Sequence, residues 1–296
     1  MRFGIMAMQL EALIPTGLSP EAMQAHVTSF DHAELVGTLV EAGFDTIELG
    51  GDLMLFLPQT FAPSQIERLA ALKVAKGLTY TVHLPLWSVE PSTPLQPVRE
   101  GSVRAIVESI EATQSLNPEV YVLHATGALA SEFTQMTLPP MGKALILRQF
   151  QQGAIASLRT ILAETGIPSR QLAIETVEFP LDLTLEMAEM LDLSICLDVG
   201  HVLSGFSGSA SLLESLDACA SRLAEVHLHD AVRPVSPDEI VYGLDHRPLG
   251  SGDLDVAKFL DRLQAVGFDG PVIFELKVPE TQRSLGLIRE LRPDLI

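Results

Sequence analysis

The sequence predicts an α/β fold of the (β/α)8 TIM-barrel type, formed as one domain over residues 1–296. Three observations carry that prediction. Short β-rich runs alternate with longer helix-compatible stretches eight times in fewer than 300 residues. No glycine-rich GxGxxG or GxxxxGK loop follows the first run, where GLSP reads as a turn, and this disfavours a doubly wound open sheet. No linker or low-complexity tract divides the chain, and barrels of this length commonly form one domain.

In chain order the β-rich runs are RFGIMAM from Arg2, DTIEL from Asp45, LTYTVHL from Leu78 and EVYVLHA from Glu119. QLAIETV from Gln171, SICLDVG from Ser194, LAEVHLH from Leu223 and PVIFELK from Pro271 complete the set. The stretches between them show helical apolar periodicity, most clearly over 98–116 and 147–165. Gly43, Gly166 and Gly267 stand just before strands, where a left-handed residue closes the preceding helix. The segments 85–97, 126–143 and 230–254 are long and rich in Pro, Gly and Ser. They follow the third, fourth and seventh runs, so in a barrel they lie on the face that carries the active site.

Composition narrows the function. Nineteen Lys and Arg stand against 38 Asp and Glu, a formal net charge of −19. Such a surface repels phosphate backbones, and the basic residues form no stripe, so general nucleic-acid binding is disfavoured. No run of about twenty apolar residues is present to span a membrane. The N-terminal stretch lacks a convincing cleavage site, so no signal peptide is expected. Cys196 and Cys219 build no disulfide framework, which points to a reducing, cytoplasmic setting.

The chemistry is concentrated at the ends of the runs. The third run brings His83, the fourth His124, the fifth Glu175 and the sixth Asp198, with His201 three residues on. The seventh brings His227 and His229, and the eighth Glu275. Their neighbours Val82, Leu84, Ile174, Leu197, Val199, Val226, Leu228, Phe274 and Leu276 are apolar. Side chains alternate faces along a strand, so outward packing of these neighbours aims the imidazoles and carboxylates at one point on the barrel axis. Unpaired carboxylates in a low-dielectric mouth would each cost several kcal/mol, roughly, and would repel one another. Divalent cations remove both problems, and a mixed His, Asp and Glu set suits Zn, Mn, Fe or Co better than Ca.

The segments GFDTIELGGD, VHLPL, VLHAT, AIETVE, CLDVGH, EVHLHDA, LDHRPLGSGDLD and VIFELK, in this order, resemble the xylose isomerase-like TIM-barrel superfamily, which includes the endonuclease IV group (AP endonuclease family 2). The resemblance spans nearly the whole chain and implies two alternatives. In the sugar isomerase and epimerase branch one Mn or Mg ion is held by residues matching Glu175, Asp198, His227 and Glu275. There Glu175 and Glu275 would shuttle protons and His201 would bind substrate. In the endonuclease IV branch two or three zinc ions cleave a phosphodiester. Residues matching His83, His124, Asp198, His201 and His246 join that cluster. The chain departs from that branch at one place: the aspartate two positions before the late histidine is Leu244 here, with Asp245 next to it. VHLPLW, the HLH pair and the DH of the late loop are also similar to cobamide-remodelling phosphodiesterases of the superfamily.

The sequence therefore favours a zinc-dependent hydrolase holding one to three ions. A metal-bound hydroxide would attack a small phosphoester or phosphodiester, with Glu175 bridging two ions. The alternative is a one-ion sugar or sugar-phosphate isomerase or epimerase, in which His83 and His124 would hydrogen-bond a sugar. Glu48, Trp87, His229, Arg247 and Lys277 are the candidate substrate contacts. Met6 and Met8 read as barrel filling, His26 and His32 as surface residues, and Asp253 or Asp255 as a helix cap. A small-molecule substrate and a homodimer are the expected partners.

Overall fold

The computed structural model describes residues 1–9, 15, 17–236 and 240–296. Its strands are β1 (Arg2–Met6), β2 (Thr46–Gly50), β3 (Thr79–His83), β4 (Tyr121–Leu123), β5 (Leu172–Glu175), β6 (Ser194–Asp198), β7 (Leu223–His227) and β8 (Pro271–Phe274). Each pairs in parallel with its neighbours in sequence, and β8 closes on β1 through the Arg2–Pro271 to Ile5–Phe274 register. The eight runs read from the sequence are thus the eight staves of a closed barrel.

The helices are α1 (Pro20–Thr28), α2 (His32–Glu41), α3 (Leu53–Phe56), α4 (Pro63–Lys76), α5 (Gln96–Thr113) and α6 (Ala128–Gln135). They continue as α7 (Pro140–Thr165), α8 (Leu181–Leu191), α9 (Val199–Leu203), α10 (Leu212–Cys219), α11 (Val256–Ala265) and α12 (Val278–Leu291). Local chemistry sets their ends. Asp31 accepts from the Glu34 amide at the start of α2, and Asp255 from the Lys258 amide at the start of α11. Ser211 and Glu214 form a reciprocal capping box on α10. Gly166 ends α7 at φ 65°, and Gly267 follows α11 at φ 78°. Two expectations are adjusted. The helix read over 147–165 begins about two turns earlier, at Pro140, and the segment 126–143 carries α6 rather than being all loop.

The parity of the strands divides the core in two. Ile47, Leu49, Val82, Leu84, Leu123, Ile174, Leu197, Val226, Leu228, Phe274 and Leu276 pack outward into one continuous apolar layer against the helices. Val120, Val122, Ala173 and Cys196 form a separate cluster. Close packing leaves little room: a Cβ on Gly4 would lie 2.5 Å from the Thr46 carbonyl oxygen and 2.7 Å from Ile273. With the lower interior filled, the upper interior is left to polar side chains. Among the described residues, no helix is long and apolar enough to cross a membrane.

His32 corrects the sequence reading. It is fully buried at the start of α2, its ring 5.5 Å from that of Phe61 and its Nδ1 3.4 Å from the Thr60 carbonyl oxygen. Burial pushes its imidazole down to about 4, with the Thr60 carbonyl opposing. Above pH 6.5 the group is neutral in both folded and unfolded chains. Below that, only the unfolded chain takes up a proton until the pH approaches 4, so stability is lost as the pH falls through this window. The full loss is about 3 kcal/mol. The substitution His32→Gln should remove this component. Urea unfolding at about pH 7 and about pH 4.5, on either side of that window, should then show a smaller loss of stability in the variant than in the parent. Equal losses would contradict a buried neutral imidazole.

Candidate metal centre

The six strand-end ligands converge at the C-terminal mouth. Glu175, at the end of β5, is almost fully buried. Its Oε2 lies 3.0 Å from His83 Nε2 and 2.9 Å from His124 Nε2. Its Oε1 faces the other way, 3.4 Å from His201 Nδ1 and 3.5 Å from His227 Nδ1. His227 Nδ1 also has Glu275 Oε1 at 3.4 Å and Asp198 Oδ2 at 3.8 Å. Glu275 Oε2 reaches His246 Nε2 at 3.1 Å. One carboxylate is therefore shared between a His83/His124 side and an Asp198/His227/Glu275 side.

Asp198 is fixed from two directions. Its Oδ1 accepts the His201 amide at 2.7 Å as the cap of α9, and its Oδ2 lies 3.0 Å from His229 Nε2. His229 is fully buried and its Nδ1 accepts the His246 amide at 2.9 Å. A Cβ at Gly200 would overlap the His229 ring, so glycine is required there. His246 adopts the left-handed φ of 50°. Asp245 Oδ2 lies 3.2 Å from His246 Nδ1 and 3.8 Å from His201 Nε2. The aspartate that the sequence spacing displaced thus still reaches the cluster.

The electrostatics set raised imidazoles against lowered carboxylates. Burial alone would lower the His83 imidazole, but the hydrogen bond and charge of Glu175 outweigh it and raise the group to about 9. Burial likewise opposes protonation of His201, and Asp198 and Glu175 carry it to about 9. Burial opposes His246 too, yet Asp245 and Glu275 raise it to about 11. Against burial, His124 and His227 hold Glu175 well below the usual carboxylate range, and His227 and His246 do the same for Glu275. Protons on these imidazoles balance carboxylates that a cation would otherwise neutralise.

The donor set fits divalent cations. Ligand-type atoms of His83, His124 and Glu175, of Glu175, Asp198 and His227, and of His201, His229 and His246 each lie within 4.8 Å of one another. His201 Nδ1 and His227 Nδ1 are buried in the cluster without a hydrogen-bond partner. Mixed imidazole and carboxylate donors of this kind suit Zn or Mn.

Above the cluster opens a cavity of about 850 Å³. Trp87 and Lys277 line it, as do Met6, Met8, Phe206 and Tyr242. Lys277 is the one Lys or Arg on its wall among the described residues, against Glu132, Glu178 and Glu280. Three candidate substrate contacts are placed elsewhere. Glu48 is fully buried beneath His227, His229 stands behind Asp198, and Arg247 pairs through its backbone with Asp230. None of the three lines the cavity.

Two carboxylates that sequence reasoning passed over build the rim. Asp52 accepts the Leu86 and Trp87 amides at 3.1 Å each. Asp230, fully buried, accepts four: Ala231 and Leu254 on Oδ1, Gly250 and Gly252 on Oδ2. It anchors the loop that presents Asp245 and His246. The signal was its place just past the HLH pair and its partner glycines in GSGD.

A family model described as xylose isomerase-like TIM barrel matches residues 36–292. The uncharacterised protein MJ1311 of Methanocaldococcus jannaschii is 23% identical over 260 residues, covering 85% of this chain and 82% of that one. A D-tagatose 3-epimerase-like protein superposes with a TM-score of 0.70 at 19% identity over 100% of both chains. Endonuclease IV from Thermus thermophilus does so with a TM-score of 0.65 at 19% identity, over 99% of this chain and 100% of that one. Several further solved neighbours are sugar epimerases. At these identities the structural likeness establishes the fold.

Substitution of Asp230 by Ala leaves four amides without their acceptor, at about 1 kcal/mol or more each. Hydrogen exchange followed by mass spectrometry should show residues 245–254 exchanging about tenfold faster or more, with the barrel strands unchanged. Unaltered protection of that segment would refute the anchoring role.

Proposed function

The chain belongs to the xylose isomerase-like TIM-barrel family, and from that premise we propose that it is a divalent-metal-dependent hydrolase of a small phosphoester or phosphodiester. One observation carries this reading. His83 Nε2 and His124 Nε2 both lie within 3.0 Å of Glu175 Oε2, while Glu175 Oε1 serves the Asp198, His227 and Glu275 side. A one-ion site of Glu175, Asp198, His227 and Glu275 needs neither histidine as a ligand. A shared carboxylate with ligand groups on both of its oxygens could bridge two adjacent cations, which supports the two-cation reading.

His83, His124 and Glu175 would hold one cation, and Glu175, Asp198, His227 and Glu275 a second. His201, Asp245 and His246 would supply donors for a third, were one bound. When bound, such ions polarise a phosphoryl oxygen and lower the pKa of water. Glu175 sets the separation of the two principal ligand groups, and His229 and the His201 amide hold Asp198 in place. Lys277, on the cavity wall, offers positive charge to the phosphate. Trp87, Phe206 and Tyr242 offer apolar surface to the rest of the substrate. The acidic wall residues repel a polyanion, which supports a small molecule over a nucleic acid.

The second reading, a sugar or sugar-phosphate isomerase or epimerase, is favoured by the sugar-epimerase names of several solved neighbours. In it the Glu175/Glu275 pair would move protons beside a carbonyl around one ion, and His83 and His124 would bind hydroxyl groups.

Metal analysis and assays on panels of phosphodiesters and ketoses separate the two. The expected result is two or more zinc equivalents per chain and phosphodiester hydrolysis. His124→Ala should lose one equivalent and about 100-fold or more in turnover. One equivalent in the parent, full metallation of His124→Ala and ketose turnover would replace the hydrolase reading with the second. Glu175→Gln should abolish activity under either.

A further inference from the structure

Two buried acids take no part in the chemistry above. Glu48 and Glu225 are both fully buried inside the barrel. Glu225 sits two residues before His227 on β7, on the same side of the strand, and Glu48 is level with Thr81 in the β2–β3 register. The Thr81 hydroxyl donates to Glu225 Oε1 at 3.1 Å and fixes that carboxyl group. Ligand-type atoms of Glu48, Glu225 and His227 lie within 4.8 Å of one another.

The His227 ring stands between two acidic layers. Above it, Nδ1 faces Glu275, Glu175 and Asp198 at 3.4–3.8 Å. Below it, Nε2 faces Glu48 Oε1 at 3.4 Å and Glu225 Oε1 at 3.9 Å. Both oxygens of Glu48 and both ring nitrogens of His227 are otherwise without hydrogen-bond partners. A pair of acids is costly to hold in a barrel interior, and apolar residues of similar size would pack there at lower cost. A neutral imidazole carries one N–H and one lone pair, and an acceptor behind one nitrogen decides which nitrogen keeps the proton.

We propose that Glu48, supported by Glu225 and Thr81, is a positioning residue that keeps the His227 proton on Nε2 and so presents the Nδ1 lone pair to the cation. The acid layer works through His227 and touches no substrate. This inference rests on His227 being a metal ligand, which both readings of the reaction share. It is independent of which reaction is correct.

The test compares the parent with Glu48→Leu and Glu48→Gln, using zinc affinity by chelator competition, the visible spectrum of the cobalt-loaded protein, and thermal stability without metal. Glu48→Leu should bind zinc about 10- to 100-fold more weakly and shift the cobalt bands. Its metal-free stability should be equal or higher. Glu48→Gln keeps an acceptor and should recover most of the affinity and the parental spectrum. Reduced metal-free stability in Glu48→Leu, with unchanged zinc affinity and cobalt spectrum, would show a merely structural role and overturn the proposal.

If Glu48→Leu does not fold, the parent still decides. Histidine-ring ¹⁵N spectra of the zinc-loaded protein should show His227 protonated at Nε2, and protonation at Nδ1 overturns the proposal. Loss of a zinc equivalent on Glu225→Gln substitution would also overturn it, by making the inner acids a cation site themselves. A parent that binds neither zinc nor manganese removes the metal premise and the proposal with it, a result distinct from metal binding that ignores Glu48.

Discussion

The structure is organised by the pairing of buried carboxylates with imidazoles at one end of the barrel. Glu175 and Asp198 are buried and Glu275 nearly so, where water screens them little. In a low-dielectric mouth, carboxylates left without partners would be costly through both desolvation and mutual repulsion. Six imidazoles placed within 4 Å of their oxygens resolve the conflict. The rest follows from keeping them there. The outward apolar positions lock strand parity, Gly200 makes room for His229, and Asp230 pins the loop that delivers His246.

Much of this was legible in the sequence because strand parity is a local property. Apolar residues flanking His83, Glu175, Asp198, His227 and Glu275 fix the inward direction, and the structure places those neighbours in the helix-facing layer. Depth along the barrel axis is not local. It depends on the stagger between strands, which no single strand encodes. Glu48 shows the consequence. It lies near the end of the DTIEL run, so by sequence it matches His83 in position, but β2 continues to Gly50. The register pairs Glu48 with Thr81, and Gly50 with His83. Glu48 is therefore one layer too deep to meet a substrate. His32 failed for a different reason: its burial comes from Phe30, Phe61 and the Thr60 carbonyl, contacts across a loop that no periodicity marks.

The late loop shows where spacing rules lose force. Alternation assigns adjacent residues to opposite sides only while the backbone is extended. At His246 the backbone takes φ 50°, and both Asp245 and His246 turn toward His201. Such a conformation costs a non-glycine residue about 1 kcal/mol or more. Here the Asp230 and His229 hydrogen bonds hold the segment in that shape. A one-residue shift in spacing is absorbed by a backbone dihedral, which a motif comparison alone does not register.

Fold likeness does not choose the reaction. An epimerase-like protein and an endonuclease IV superpose on this chain over nearly its full length, with TM-scores of 0.70 and 0.65. A parallel barrel supplies the same frame to both, and the chemistry is set by which side chains stand at the strand ends. Glu175, Asp198, His227 and Glu275 suffice for one ion, so they argue equally for either reaction. The discriminating weight falls on β3 and β4. A histidine that binds a hydroxyl of a sugar needs only to face the cavity. His83 and His124 meet that condition, since both line the cavity, and in addition both turn their Nε2 onto one oxygen of the buried Glu175 carboxylate, a placement that the two-cation proposal uses and a hydroxyl-binding role does not need.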